Sequence, residues 1–306
     1  MAASWIPPRP SRRCLVAAFF CCLGASPAMA APPQLQALVD PPSQEHHAGK
    51  VVFVELVTPD LAAAKTFYTG LFGWSFRDRP FGSVPYAEAT LENRPVAGLL
   101  ERPFPAGEHR QPAWLGFFSV SNVDAAAKTA LQNGGKILFQ PHDVPDLGRD
   151  AVLQDPQGAA FGILASSSGD PPDYLAGPGE WIWSSLITTD ADAAAGFYQA
   201  VFGYEVFATA DDRNGQHLIV ASDNYARASV NSMPGNAVHS YPYWLNYVRV
   251  ADAAKAAAKA VSLGGRVVVE PRPDRQGSMV AVVADPAGAV FGLLEWPESD
   301  SKEVTK

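Results

Sequence analysis

The sequence predicts an α+β fold made of two tandem modules, and three observations lead to this prediction. The phrase "DPQGAAFGIL" at 155–164 returns almost unchanged as "DPAGAVFGLL" at 285–294, an offset of 130 residues. Matches at this offset recur along most of the chain, which is typical of a tandem duplication. Within each module, segments of strand-like alternation are interrupted by segments of helical period, and no strand leads into a glycine-rich phosphate loop. The pattern therefore favours an α+β fold over a Rossmann fold.

Residues 1–30 have the pattern of a secretory signal peptide. Arg9, Arg12 and Arg13 precede the apolar stretch "CLVAAFFCCLGA", and the small residues of "SPAMA" suit cleavage before Ala31. The paired arginines loosely fit a twin-arginine signal, and an uncleaved anchor is the alternative. The apolar run is shorter than the ~20 residues that a membrane-spanning helix needs. We therefore expect a periplasmic or secreted protein with no membrane partner after cleavage.

The cysteine content and the net charge exclude several kinds of site and partner. All three cysteines lie inside the signal segment, so the mature chain has no disulfide, thiolate nucleophile or Cys-ligated metal. Removal of three arginines changes the formal net charge from −8 to −11. Such a surface repels phosphate backbones and anionic lipids. The expected partner is a small-molecule ligand rather than nucleic acid, and the expected state is a monomer or homodimer.

The chain divides at changes in composition. The linker "SSSGDPPDYLAGPGE" is rich in Gly, Pro and Ser, and a second Pro-rich stretch follows the signal. The predicted segments are a signal peptide (1–30), a Pro-rich spacer (31–49), module 1 (50–165), the linker (166–179), module 2 (180–296) and a polar tail (297–306).

The first half of module 1 predicts a strand, a helix and two short strands. "VVFVELV" alternates, which places Val52, Val54 and Leu56 on the face toward the helices and Phe53, Glu55 and Val57 on the other. "LAAAKTFYTGLF" (61–72) has a helical apolar stripe, capped by Asp60 or Thr58 and ended by Gly73. Short strands are expected at 85–90 and 96–101.

The second half begins again with a strand and a helix. "WLGFFSV", "NVDAAAKTALQNGG" and "KILFQP" predict a strand, a helix and a strand, and two further strands flank "DPQG". Module 2 repeats this order. Between the two halves the offset slips to 131, which pairs Tyr86 with His217 and Gly98 with Ser229, before Trp114 and Trp244 restore 130.

At "ELVTPDLAAAKTFYTGLFGW" and "DPQGAAFGIL" the sequence resembles the vicinal oxygen chelate superfamily, which includes glyoxalase I, extradiol dioxygenases and bleomycin-resistance proteins. Both modules carry the resemblance. It implies tandem βαβββ-type modules that form curved mixed sheets around a cleft, with the helices outside.

The resemblance also implies where a metal would bind. The usual ligand positions fall on Phe53, Leu115 and Gly162 in module 1 and on Trp183, Leu245 and Gly292 in module 2. Hydrocarbon side chains and glycine supply no oxygen or imidazole donors, which divalent ions require. We therefore expect no metal and no other cofactor.

Two residues are candidates for catalysis. Glu55 is a carboxylate on the cleft side of its strand, where burial would raise its pKa toward that of a general acid or base. The alternative is an ion pair with an arginine such as Arg94. His217 lies on a strand next to the cleft and is either a proton shuttle or an ordinary hydrogen-bonded histidine.

The predicted ligand-binding residues are Phe53, Phe117, Trp183, Ser185, Tyr247 and Arg249. The aromatic members would line a pocket, and Arg249 would bind an anionic or aromatic ligand or lie at the solvent rim.

Three functions are compatible with these residues. The first is a metal-independent protein that binds a small apolar or aromatic molecule, and the second is a lyase- or dioxygenase-like enzyme that uses Glu55 and His217 with a non-standard metal site. The third is an interaction module with a closed cleft. Export argues against glyoxalase I chemistry itself, because a glutathione thioadduct is a cytosolic species.

Overall fold

The computed structural model describes residues 35–81, 83–104, 111–209, 216–233, 241–275 and 277–296. The expected signal peptide and polar tail lie outside these residues. Among the helices of this described part, none has the length and apolarity needed to cross a membrane.

Each module consists of two consecutive βαβββ units. Module 1 contains β1 (Val51–Thr58), α1 (Leu61–Phe72), β2 (Ser75–Phe81), β3 (Val84–Leu91), β4 (Arg94–Glu101), β5 (Ala113–Ser119), α2 (Val123–Gln132), β6 (Lys136–Val144), β7 (Gly148–Gln154) and β8 (Ala160–Ser166). Module 2 contains β9 (Trp181–Thr188), α3 (Ala191–Phe202), β10 (Glu205–Ala208), β11 (His217–Ser222), β12 (Tyr225–Ser232), β13 (Tyr243–Arg249), α4 (Ala253–Ser262), β14 (Arg266–Pro273), β15 (Met279–Ala284) and β16 (Val290–Leu294). The sequence pattern predicted all of these except the edge strands β2 and β10.

Each module forms one eight-stranded mixed sheet. The strand orders are β2-β3-β4-β1-β5-β8-β7-β6 and β10-β11-β12-β9-β13-β16-β15-β14. The central strands β1 and β5 are antiparallel, while β4 and β8 run parallel to their central neighbours. The predicted α+β fold of tandem βαβββ-type modules is confirmed.

The helix boundaries follow from local chemistry. Of the two capping candidates, Asp60 is the one used, and its side chain accepts a hydrogen bond from the backbone N–H of Ala63 at 2.8 Å. Helix α1 ends at Gly73, whose φ of 76° is the left-handed conformation that glycine adopts without strain. In module 2, Asp190 and Gly203 do the same for α3.

The repeated "DPxG" phrase joins the two modules to each other. Asp155 accepts hydrogen bonds from the backbone N–H groups of its own turn, and its other oxygen lies 3.1 Å from the hydroxyl of Tyr198 on α3. Trp244 of module 2 donates to the same hydroxyl at 2.9 Å. The reciprocal set consists of Asp285, Tyr68 and Trp114. Each phrase therefore closes a turn in its own module and binds a helix of the other.

The helices pack against one face of each sheet. One apolar cluster combines α1 with α4, and a second combines α2 with α3, so each cluster draws on both modules. Val54 and Leu56 belong to the first of these, as the strand alternation predicts. Val52 does not, because a register shift between Val51 and Phe53 turns it toward the cluster on the opposite face. The predicted unbroken row of Val52, Val54 and Leu56 is thus wrong at its first member.

Candidate functional site

The face opposite the helices carries the predicted site residues, and each sheet has its own. We define the module 1 face by Phe53, Glu55, Tyr86, Phe117 and Gly162. We define the module 2 face by Trp183, Ser185, His217, Tyr247 and Gly292. Strand register places each set on one side of its sheet.

Register also confirms the internal repeat. Glu55 lies opposite Gly98 as Ser185 lies opposite Ser229, and this fits the predicted slip of the offset to 131. The predicted aromatic residues are nevertheless divided between two faces. Phe53 and Phe117 pack together on module 1 with ring centroids 5.7 Å apart, whereas Trp183 and Tyr247 are register neighbours on module 2.

A chain of hydrogen bonds crosses the module 2 face. Ser229 Oγ accepts from Trp183 Nε1 at 3.2 Å and from Asn231 Nδ2 at 3.1 Å, and lies 2.8 Å from Ser185 Oγ. A hydroxyl has two acceptor lone pairs and one proton, so Ser229 donates its proton to Ser185. Ser185 in turn is hydrogen-bonded to the hydroxyl of Tyr247. The donor and the acceptor are therefore fixed in each hydrogen bond between Trp183, Asn231, Ser229 and Ser185.

The two ends of this chain are a phenol and an imidazole. Burial raises the pKa of Tyr247 to about 12, and the bond to Ser185 opposes that shift, so Tyr247 remains a protonated donor at neutral pH. At the other end His217 Nδ1 is hydrogen-bonded to Asn231 Oδ1. Because Asn231 uses its amide N–H on Ser229, its oxygen accepts from His217, and the neutral imidazole then has Nε2 as its acceptor.

The usual metal positions of the superfamily do not fit a metal here. A Cβ added at Gly162 would lie 2.4 Å from Phe117 Cδ1, and one added at Gly292 would lie 2.0 Å from Tyr247 Cδ1. An aromatic ring thus covers each position at which a carboxylate would be expected. Within the described ranges, no three His, Cys, Asp or Glu side chains are grouped so as to hold an ion.

Buried acids occupy the module 1 face. Burial raises the pKa of Glu55 to about 8; Asp150 adds to the shift, and a hydrogen bond from Tyr86 opposes it. Burial likewise raises the pKa of Asp150 to about 6, against the attraction of His142, whose Nδ1 lies 3.0 Å away. The alternative ion pair of Glu55 with Arg94 is wrong, because the Arg94 guanidinium lies 2.9 Å from Glu180 instead.

The two faces differ in exposure. Phe53 and Phe117 are 8% and 3% exposed and belong to the same apolar cluster as Leu35, and Leu38 packs against that cluster. Both leucines are part of the predicted spacer. On the module 2 face Trp183, Tyr247 and His217 are partly exposed, whereas Ser185 and Ser229 are buried. The predicted spacer is therefore partly a covering segment for module 1, while the aromatic side chains of the module 2 face keep part of their surface exposed.

Arg249 lies at the end of the module 2 face and is 8% exposed, so it does not lie at the solvent rim. Its guanidinium donates to the backbone carbonyls of Ala176 at 2.8 Å and Trp296 at 3.1 Å. Its hydrogen bonds thus hold the linker and the end of module 2.

A cavity of about 470 Å³ lies between the modules, and Phe53 and Trp183 both line it. Trp296 also lines the cavity, with its ring centroid 6.1 Å from that of Trp183. Lys50 on its wall is paired with Asp173 at 2.8 Å. Trp183 therefore borders both this cavity and the module 2 face.

Sequence reasoning missed Ser229 and Asn231 as site residues, although the alternation in "YARASVNS" places both on one side of their strand. It also missed Tyr86 as the partner of Glu55 and the role of Leu35. For Leu35 the sequence carries no signal, because a leucine in a Pro-rich spacer indicates no particular neighbour.

Comparisons with known proteins agree with this geometry. The family model of the Glyoxalase/Bleomycin resistance protein/Dioxygenase superfamily matches residues 50–163, and that of the Glyoxalase-like domain matches residues 184–294. The CFP32 protein of Mycobacterium bovis, which carries the provisional name of a glyoxylase, is 34% identical over 83% of this chain and 98% of its own length. The anthracycline biosynthesis protein DauV of a Streptomyces species is 32% identical over 82% of this chain and 94% of its own length.

Solved structures share the fold at low sequence identity. A Mn(II)-bound glyoxalase from Novosphingobium aromaticivorans superposes with a TM-score of 0.55 at 16% identity, covering 82% of this chain and 83% of its own. A 2,2',3-trihydroxybiphenyl 1,2-dioxygenase from Sphingomonas wittichii superposes with a TM-score of 0.57 at 13% identity, and the match covers 81% of this chain and 91% of the dioxygenase.

Proposed function

Because the chain belongs to the glyoxalase/bleomycin resistance protein/dioxygenase superfamily, we propose that it is an exported protein that binds a small aromatic molecule on the module 2 face without the help of a metal ion. The observation that carries the proposal is the hydrogen-bonded chain from Tyr247 to His217. Trp183 is fixed at the middle of that chain by its bond to Ser229.

The chemistry of this face indicates the class of ligand. The indole of Trp183 offers an aromatic surface for stacking, which contributes about 1 kcal/mol beyond area burial. Tyr247 can donate to a carbonyl oxygen, and His217 Nε2 can accept from a hydroxyl. A planar aromatic molecule that carries both a carbonyl and a hydroxyl group satisfies all three. The similarity to a protein of anthracycline biosynthesis supports a polycyclic ligand of this kind.

An enzymatic use of Glu55 together with His217 is less well supported. The two residues lie on different sheets, and each is hydrogen-bonded within its own face, Glu55 to Tyr86 and His217 to Asn231. The aromatic rings over Gly162 and Gly292 also fill the positions from which a superfamily carboxylate would reach a metal. A non-standard metal site would need donors other than those at the superfamily positions.

The test uses 2,6-dihydroxyanthraquinone, whose hydroxyls cannot bond to its own carbonyls, and measures quenching of tryptophan fluorescence, with unsubstituted anthraquinone as the matched ligand lacking hydroxyls. We expect Tyr247→Phe and His217→Ala each to weaken binding of the dihydroxy compound roughly 3- to 10-fold, about 1 kcal/mol per hydrogen bond. The loss of affinity for anthraquinone in His217→Ala should be smaller, since that ligand offers no hydroxyl.

Glu55→Gln serves as the control, because it changes a polar group on the other face. If Glu55→Gln and His217→Ala weakened binding of the dihydroxy compound equally, the result would contradict a site on module 2. Metal analysis of the same preparation gives the second arm. A stoichiometric transition metal whose removal abolishes binding would replace the proposal with a metal-dependent function.

A further inference from the structure

Leu35 occupies the module 1 face as a ligand would. It is 6% exposed and belongs to the apolar cluster of Phe53, Tyr86 and Phe117, and Leu38 packs against the same cluster. Residues 35–38 form no helix or strand, so these contacts are not part of any regular secondary structure of the segment. A segment without regular secondary structure thus places the branched aliphatic side chain of Leu35 among the aromatic side chains of the module 1 face.

A buried carboxylate holds the next residue. The backbone N–H of Gln36 donates to one oxygen of Glu88, and Arg79 Nε lies 2.6 Å from the other oxygen. Glu88 is only 5% exposed, although it lies on a strand near the sheet edge. With one oxygen held by Arg79, Glu88 presents the second as an acceptor directed at an incoming N–H group.

The rest of the segment is anchored elsewhere. Ser43 N donates to the carbonyl of Ser168 at 2.8 Å, His47 N donates to Asp170 at 2.6 Å, and Gly49 N donates to Ser119 at 2.9 Å. These bonds hold residues 43–49 against the linker and the end of β5. Within the described part of the chain, residues 35–38 are held by the apolar cluster and the bonds of Gln36. The next bond, from Val39 N to Ser168 Oγ at 3.1 Å, belongs to the anchor. Residues 35–38 can therefore leave while the anchor stays.

We propose that residues 35–38 are a built-in occupant of a ligand site on the module 1 face, which accepts an aliphatic side chain followed by an amide N–H group. The site is a peptide-like subsite: Phe53, Tyr86 and Phe117 take the side chain, and Glu88 takes the N–H. It is closed by the chain's own segment and opens when that segment detaches. It is independent of the aromatic site proposed for module 2.

Hydrogen exchange on the full chain tests the detachment. The amide of Gln36 should exchange about 100-fold faster than those of β1 and β5, since local opening of residues 35–38 does not require unfolding of the sheet. Protection of the Gln36 amide equal to that of β1 would overturn the proposal, because the segment would then be a permanent part of the fold.

A titration followed by amide NMR tests the site itself. The probe is acetyl-Leu-Gln-Ala-Leu-amide, which reproduces residues 35–38, and the protein is the full chain with Leu35→Ser and Leu38→Ser. We expect this variant to bind the probe at least about 10-fold more tightly than the wild type does, a difference of about 1.4 kcal/mol, with shifts at Phe53 and Glu88. A probe with both leucines replaced by serine should not bind.

Leu131→Ser, which removes a half-exposed leucine from α2, is the matched control and should behave as the wild type. Equal probe binding by the control and the double variant would refute the site. If the double variant does not fold, the exchange measurement on the wild type decides alone. Tyr247→Phe should leave probe binding unchanged, which separates this proposal from the one for module 2.

Discussion

Gly292→Ala tests whether the Tyr247 ring is what excludes a side chain from the superfamily's carboxylate position. The added Cβ would lie 2.0 Å from Tyr247 Cδ1, while ordinary van der Waals contact begins near 3.4 Å. The ring must therefore move by about 1.4 Å or the strand must shift, and overpacking of this kind costs typically 1–3 kcal/mol. Displacing the ring also breaks the Tyr247–Ser185 hydrogen bond, which adds about 1 kcal/mol.

The total of about 2–4 kcal/mol is measurable by denaturant unfolding, and in a thermal scan it corresponds to a Tm lower by roughly 5–10 °C. Gly196→Ala is the matched control. Its Cβ would meet nothing within 4 Å on helix α3, so it should raise stability by about 0.5–1 kcal/mol. The same glycine-to-alanine change thus has opposite signs at the two positions.

A double-mutant cycle locates the cause. In a Tyr247→Ala background the ring is absent, and Gly292→Ala should then cost less than about 0.5 kcal/mol. An equal cost of Gly292→Ala in both backgrounds would show that the backbone, and not the ring, excludes the side chain. A cost near zero in the wild-type background would refute the packing argument altogether.

Two further predictions concern buried polar groups. Tyr198→Phe removes the hydroxyl that joins Asp155 to Trp244 and should lower the free energy of unfolding by about 2–3 kcal/mol in denaturant titrations. Tyr68→Phe should lower it by the same amount. A loss below about 0.5 kcal/mol in either variant would contradict the role of these bonds. The pKa of Glu55 rises from 4.5 to about 8 on folding, so the folded state binds an extra proton between these values and stability falls as pH rises through that window. Glu55→Gln should remove this fall, by up to roughly 1.4 kcal/mol per pH unit, and identical pH profiles of the two proteins would refute the shift.

The parts of the fold that the sequence predicted are those encoded locally. The alternation of β1 placed Phe53 and Glu55 on one face, and Asp60 and Gly73 marked both ends of α1. Such signals depend on a residue's own backbone or on neighbours within one turn. The edge strands β2 and β10 were missed because "SFRDRPF" and "EVFA" show no clear alternation, and their pairing with β3 and β11 is what makes them strands.

The parts of the site that escaped prediction depend on contacts distant in sequence. Leu35 belongs to the same apolar cluster as Phe117, 82 positions away, and nothing in either residue's neighbourhood specifies the other. The bulge that turns Val52 away from the helices arises where β1 meets β5, so strand alternation alone assigned it to the wrong face. The division of the aromatic residues between two faces likewise follows from the pairing of sixteen strands into two sheets.

The two modules differ at a pair of neighbouring positions whose side-chain volumes change together. In module 1 the Tyr86 hydroxyl lies 1.9 Å from where a Cβ on Gly98 would be, so a tyrosine there requires the glycine. In module 2 the equivalent pair is His217 and Ser229: the smaller ring is drawn to Asn231, and the serine hydroxyl becomes the centre of the hydrogen-bonded chain. A tyrosine in place of His217 would not fit beside Ser229 without rearrangement, because the equivalent tyrosine in module 1 requires a glycine there. The hydrogen-bonded chain of module 2 therefore depends on Ser229, and a Ser229→Gly change alone should leave Trp183, Ser185 and Asn231 without their common partner rather than restore the Tyr86 packing of module 1.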